Sequence, residues 1–170
     1  TAPEGRGNAL GRPGGAAGRW RPNVTVAAVV ERNGRYLLVE ERAADGSLKL
    51  NNPAGHLDPG ETLLQAVVRE VLEEAACVFT PTHLQGIHLA PSATEAGVTY
   101  LRFAFAGHVS EPLPGRALDD GILRTLWLTP DEIAAERARH RSALLMRCIE
   151  DHRAGKRYPL QLLQSDAADF

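Results

Sequence analysis

The chain is expected to fold as an α+β layered sandwich around a mixed β-sheet. Three observations lead there. Several short apolar strands come first, one Glu-rich helix interrupts them, and further strands and two terminal helices follow without any internal repeat. The 170 residues are 44% hydrophobic and 24% charged, which is ordinary for one globular domain. A net charge of −2 and a pI near 6.3 give no electrostatic case for nucleic acid as the main partner.

Residues 1–21 are rich in Gly, Arg, Pro and Ala and lack the apolar run of a signal peptide. They are expected to form a flexible arm with Trp20 anchoring its end, followed by a single domain over 22–165 and a short tail over 166–170. Val24 to Glu31 reads as a buried strand, and Asn33-Gly34 is a hairpin signal before the strand Arg35 to Glu41. These two strands are therefore expected to pair antiparallel. Leu48 to Leu50 offers a short strand, and Asn51 to Leu57 reads as irregular. Strands are expected at Pro81 to Leu89, Val98 to Val109 and Leu123 to Leu128, with loops over 90–97 and 110–121. Thr129-Pro130-Asp131-Glu132 opens a capped helix, and another covers about Ser142 to Ala154 before Gly155.

The central helix is the informative one. Asp58-Pro59-Gly60 is a turn, and Thr62-Leu63-Leu64-Gln65 fits a capping box, so the helix should run from about Thr62 to Ala76. At 100° per residue, Leu64, Val68, Val71, Leu72 and Ala75 gather on one side and Glu70, Glu73 and Glu74 on the other. Like charges at this spacing repel by a few tenths of a kcal/mol per pair, about 0.2 to 0.5. Carboxylates late in a helix also oppose its dipole. A bound hard cation would offset both effects, since Mg²⁺ takes oxygen ligands from a few carboxylates, water and substrate phosphates. A solvated, charged helix end is the alternative for any such run taken alone.

Gly55, Glu61, Arg69, Glu70, Glu73 and Glu74 stand in the pattern G-x5-E-x7-R-E-x2-E-E. This stretch resembles the Nudix box, the signature of hydrolases that cleave a diphosphate linked to another moiety. Ala76 replaces the usual Gly near its end, and Cys77 a larger aliphatic residue. The resemblance implies the α/β/α sandwich of that family and extends over most of 23–163. The flanks NVTVAAVVERNGRYLLVEE, NNPAGHLDPGET, TYLRFAFAGHV and GKRYPLQLL are most similar to the NudJ-type phosphatases, although Leu50 stands where a Trp is expected.

The resemblance implies an Mg²⁺-dependent enzyme, with Mn²⁺ also suitable. Its substrates would be nucleoside di- or triphosphates, or a related small diphosphate such as that of the thiamine pyrimidine precursor, attacked by a metal-activated water. Glu70, Glu73, Glu74 and the carbonyl of Gly55 inherit the metal. Glu70 or Glu74 is the implied base, and Arg69 orients the carboxylates while Glu61 braces the loop. Relatives often carry an acid where Gly121 lies, so Asp120, Asp119 and Glu95 are reserve bases. Lys49, Arg42, Arg102 and Tyr158 are candidates for substrate contacts, and His56 adjoins the site. Two other readings share these residues: an ADP-ribose or dinucleotide pyrophosphatase, and a domain that binds a metabolite without turnover. No phosphate-binding G-x4-G-K-[ST], H-E-x2-H or G-x-S-x-G pattern occurs. Cys77 and Cys148 show no paired spacing, which fits a reduced, cytoplasmic protein. A monomer or homodimer without membrane contact is expected.

Overall fold

The structure, a computed structural model, describes residues 19–166; the greater part of the expected arm and the end of the tail lie outside them. Trp20, expected as an anchor, is 60% exposed. The strands are β1 (Asn23–Val29), β2 (Glu31–Arg32), β3 (Arg35–Arg42), β4 (Leu48–Asn51), β5 (Ala54–His56), β6 (Phe79–Pro91), β7 (Thr99–Val109) and β8 (Ile122–Leu128). The α-helices are α1 (Leu63–Ala75), α2 (Pro130–Ala135) and α3 (Leu144–Arg153).

One sheet has the order β5-β1-β7-β6, with β1 and β7 parallel and the outer pairs antiparallel. In the other, β3 is flanked by β2 and β4 on one edge and by β8 on the other. Val26, Ala28 and Phe105 pack with Ala66, Val67 and Val71 of α1. Val29, Ala104 and Ala106 face the opposite layer, where Ile133, Leu145, Cys148 and Ile149 pack. The first sheet is thus covered on both faces, and the strand residues Val26 to Val29 are buried without alternation, as such a position demands.

The expected hairpin is only partly formed. Arg32 pairs with Arg35 and Glu31 with Tyr36 around Asn33-Gly34, and Leu37 N–H donates to the Val30 carbonyl. Before that the chain leaves its partner, because β1 joins the other sheet between β5 and β7. Residues expected to be irregular also differ, since Ala54–His56 form the edge strand β5, three residues long, against Thr25 to Ala27. β6 runs on to Pro91 and shortens the loop that follows.

Helix α1 begins at the Thr62–Gln65 capping box and ends with Ala76 in the left-handed region at φ 54°. Its buried face matches only in part the one its apolar periodicity selects: Val71 and Ala75 are buried as expected, but Ala66, Val67, Glu70 and Glu74 are buried with them, whereas Leu64, Val68 and Leu72 are half-buried. Glu70 and Glu74 therefore lie on the face pressed against β5 and β1, while Glu73 is half-buried.

Candidate active site

Glu70 and Glu74 stand one helical turn apart on the buried face of α1, at 8% and 9% exposure. The Ala54 N–H donates to Glu74 Oε2 at 3.0 Å. Gly55 lies so close to Glu70 that a Cβ there would sit 2.1 Å from its carboxyl carbon. Only glycine allows the β5 backbone this approach. Burial is the main cause that raises the Glu74 pKa, to about 8, with the charges of Glu70, Glu41 and Asp119 adding to it. Glu70 is also raised, chiefly by burial, against the lowering effect of Arg69.

Arg69 ties this face to the preceding loop. Its guanidinium donates to Glu70 Oε1 at 2.8 Å, Glu73 Oε2 at 3.1 Å, Glu61 Oε2 at 3.0 Å and the His56 carbonyl at 2.9 Å. Its Nε also bonds Glu61 Oε1. That bond is the first cause holding Glu61 below the usual carboxylate range. Glu61 in turn accepts the Asp58 N–H at 3.0 Å, so the turn, the loop and the helix are fixed through one guanidinium.

The 110–121 loop is exposed but closes onto the end of α1. Asp119 N–H donates to the Glu73 carbonyl at 2.9 Å, Leu113 N–H to the Ala76 carbonyl at 2.8 Å, and Arg116 Nε to the Leu72 carbonyl at 3.3 Å. The Glu73 and Ala76 carbonyls gain their partners in this way, whereas that of Leu72 also accepts the Ala76 N–H. The folding of this loop puts Asp119, rather than Asp120, among the charges that act on Glu70 and Glu74.

A cavity of about 340 Å³ opens on the other side of Gly55. Ala54, Gly55, His56, Tyr100, Arg102 and Leu144 are on its wall, and Glu95 is at the loop that borders it. Arg102 is therefore brought to the site. Arg42 is exposed and donates to the Gly46 carbonyl at 3.3 Å, and Lys49 pairs across from Glu41 on β4; both lie outside the cavity lining. Tyr158 lies elsewhere, bridged to Leu84 beside the edge strand β6, in a second hollow with His88 and Asp151.

Sequence reasoning missed Glu41, Thr25, Asn51 and Arg141, all of which line the cavity. Glu41 stands at the end of β3, 3.3 Å from Arg141, and burial raises its pKa. Nothing in local spacing marks it, because β3 and the segment after α2 meet the box only through the tertiary fold.

Hard oxygen donors dominate the α1 face, which suits a divalent cation such as Mg²⁺. The repulsion among Glu70, Glu74 and Asp119 and the Gly55 cradle fit the same ion. Among the described residues no three His, Cys, Asp or Glu side chains already converge as a metal site. Arg69 holds Glu70 and Glu73, and the Ala54 amide holds Glu74.

A family model described as the NUDIX domain matches residues 19–147. The chain is 36% identical over 146 residues to phosphatase NudJ of Escherichia coli (strain K12), covering 85% of this chain and 92% of that protein. The solved structure of a NUDIX hydrolase from Nitrosomonas europaea superposes with a TM-score of 0.84 at 52% identity, covering 88% of this chain and 100% of that one. The NUDIX domain of Shewanella oneidensis NrtR, solved with ADP ribose, has a TM-score of 0.63 at 17% identity over 81% of this chain and 90% of that one, a likeness of fold.

Proposed function

The chain belongs to the Nudix family and is a hydrolase of the pyrophosphohydrolase or phosphatase type; on that premise we propose that it cleaves phosphoanhydride bonds of nucleoside di- or triphosphates, or of a related small diphosphate such as that of the thiamine pyrimidine precursor. The observation that carries this reading is the pair of buried carboxylates, Glu70 and Glu74, set against Gly55 at the edge of a cavity sized for a small molecule.

Glu70, Glu73, Glu74 and the Gly55 carbonyl would hold Mg²⁺, and Mn²⁺ suits the same donors. When bound, the ion neutralises charge on the phosphates and makes water a better nucleophile at neutral pH. Glu74, kept ionised by the bound cation against the burial that raises its pKa, would accept the proton of the attacking water, with Glu70 as the second candidate for that role. Asp119 is the reserve base nearest in effect, Asp120 and Glu95 standing behind it. Arg69 acts on the carboxylates and not on substrate: its bonds to Glu61, Glu70 and Glu73 fix their directions before any ligand arrives. Ala54 N–H leaves Glu74 with one oxygen free of that bond.

The test is phosphorus NMR of the products from a panel of nucleoside di- and triphosphates, ADP-ribose, a dinucleotide and the pyrimidine diphosphate, with Mg²⁺ present. Release of orthophosphate or of a nucleoside monophosphate is the expected result. No product from any member, with one of them bound, would leave a binding module without turnover.

A further inference from the structure

The cavity beside Gly55 has a polar floor that the carboxylate chemistry does not use. Arg102 of β7 is 7% exposed and lies in register with Thr25 of β1 on one side and His88 of β6 on the other. Its Nε and Nη1 are buried without a hydrogen-bond partner, and so are Thr25 Oγ1 and Asn51 Oδ1, while Glu41 Oε1 makes no hydrogen bond and faces the Arg141 guanidinium at 3.3 Å. All four residues line this one cavity. Buried polar groups are rarely left unmatched, because each has lost its water without regaining a partner. A ligand group that supplies those partners accounts for the cluster.

The chemistry of the set says what kind of group. Arg102 only donates, ionised Glu41 only accepts, and Thr25 and Asn51 have both capacities. Arg141 and Arg102 are the cations that act on the Glu41 carboxylate. A phosphate brings acceptors alone and would set its charge against Glu41. A nitrogen heterocycle with an amino group beside a carbonyl or ring-nitrogen acceptor answers both Arg102 and Glu41. Tyr100, Pro91 and Leu144 give the same cavity apolar and aromatic wall for the ring faces.

We propose that Arg102 and Glu41 are specificity-determining residues that read an amino-bearing nitrogen heterocycle, Arg102 donating to a ring acceptor and Glu41 accepting from the neighbouring amino group. The assignment rests on the hydrolytic reading above and places the phosphates on the α1 side of Gly55, away from Arg102. An oxo group in place of the amino group would point an oxygen at Glu41 and leave it unmatched, which a site built for hydrogen bonding rejects strongly.

Two matched pairs test it: CDP against UDP, and ADP against IDP, with methyl diphosphate as the substrate without a ring. For the ring size that is used better, kcat/KM should favour the amino member at least tenfold. Glu41→Gln and, separately, Arg102→Met should bring that ratio to within threefold, mainly through KM for the amino member. Equal use of both members of each pair would overturn the assignment. So would variants that keep the wild-type ratio, or an Arg102→Met loss as large on methyl diphosphate, since Arg102 would then be a phosphate ligand. Calorimetric binding of the same pairs separates this from the hydrolytic reading. Selective binding without turnover would sink hydrolysis and keep the head-group assignment, whereas equal affinities would sink the assignment whatever the turnover.

Discussion

At Gly55 the absent Cβ lets the backbone of β5 lie against Glu70, and the Gly55→Ala variant would drive a methyl group into that carboxyl. Its expected cost is about 1–3 kcal/mol from overpacking. A fall in kcat/KM of roughly 100-fold should accompany it, since small misplacements of catalytic groups have effects of that size. Chemical denaturation and steady-state kinetics on one preparation check both, and unchanged turnover would detach Gly55 from the site. Arg69→Lys keeps the charge but loses the fork that reaches Glu61, Glu70, Glu73 and the His56 carbonyl together. A loss of roughly 1–3 kcal/mol is expected for charge-assisted bonds of this kind, read as a lower urea midpoint at constant m. An unchanged midpoint would mean that the hub is ornamental. At this scale the spacing of Gly55, Glu61, Arg69, Glu70, Glu73 and Glu74 is legible because all lie on one continuous stretch from β5 through the following loop into α1. Glu41 and Arg141 are illegible because their 3.3 Å pairing joins a strand end to a segment a hundred residues later in order of magnitude.

Helix α1 shows where an element departs from its pattern. Ala76 adopts φ 54° at the C-cap, a conformation that is unfavourable for a residue with a Cβ, by about 1–2 kcal/mol, and free for glycine. The Ala76→Gly variant should therefore stabilise the fold by roughly 0.5–1 kcal/mol, the gain being reduced by the freer unfolded chain. A lower melting temperature would show that the buried Ala76 methyl outweighs the strain. Thr62→Ala, by contrast, removes one half of the capping box and should destabilise by about 1 kcal/mol. The start of the helix was readable from Thr62 and Gln65, since capping is local. Its buried face was not, because Glu70 and Glu74 are buried by β5, whose existence depends on pairing with β1. The Asn33-Gly34 turn was readable for the same local reason, whereas the departure of β1 into the other sheet follows from burial on both faces.

Across the whole molecule the layers α1, mixed sheet and α3 were foreseeable from the order of the elements, while the cavity was not, because it forms where β1, β3, β5, β7 and the segment before α3 converge. No helix among the described residues is long and apolar enough to cross a membrane. His83, His88 and His152 are spread through the fold, and burial is the first cause lowering each below the ordinary value of 6.5. Their neutral forms are kept in the fold, so the stability they support is present above pH 6.5 and is lost as pH falls from there through their folded values. The unfolded chain takes up those protons first. Between pH 6.5 and 5 the stability of wild type should fall more steeply than that of His152→Phe, by up to about 1.4 kcal/mol per pH unit for one group. Parallel slopes would remove His152 from that balance. The carboxylates of α1 are tested by Mg²⁺-dependent phosphate release by wild type and Glu74→Gln on the best diphosphate of the panel. The expected result is turnover that EDTA abolishes and that Glu74→Gln lowers by roughly 100-fold or more with its melting curve still cooperative. Equal turnover by the two proteins would remove Glu74 from the reaction, and turnover indifferent to EDTA would remove the metal.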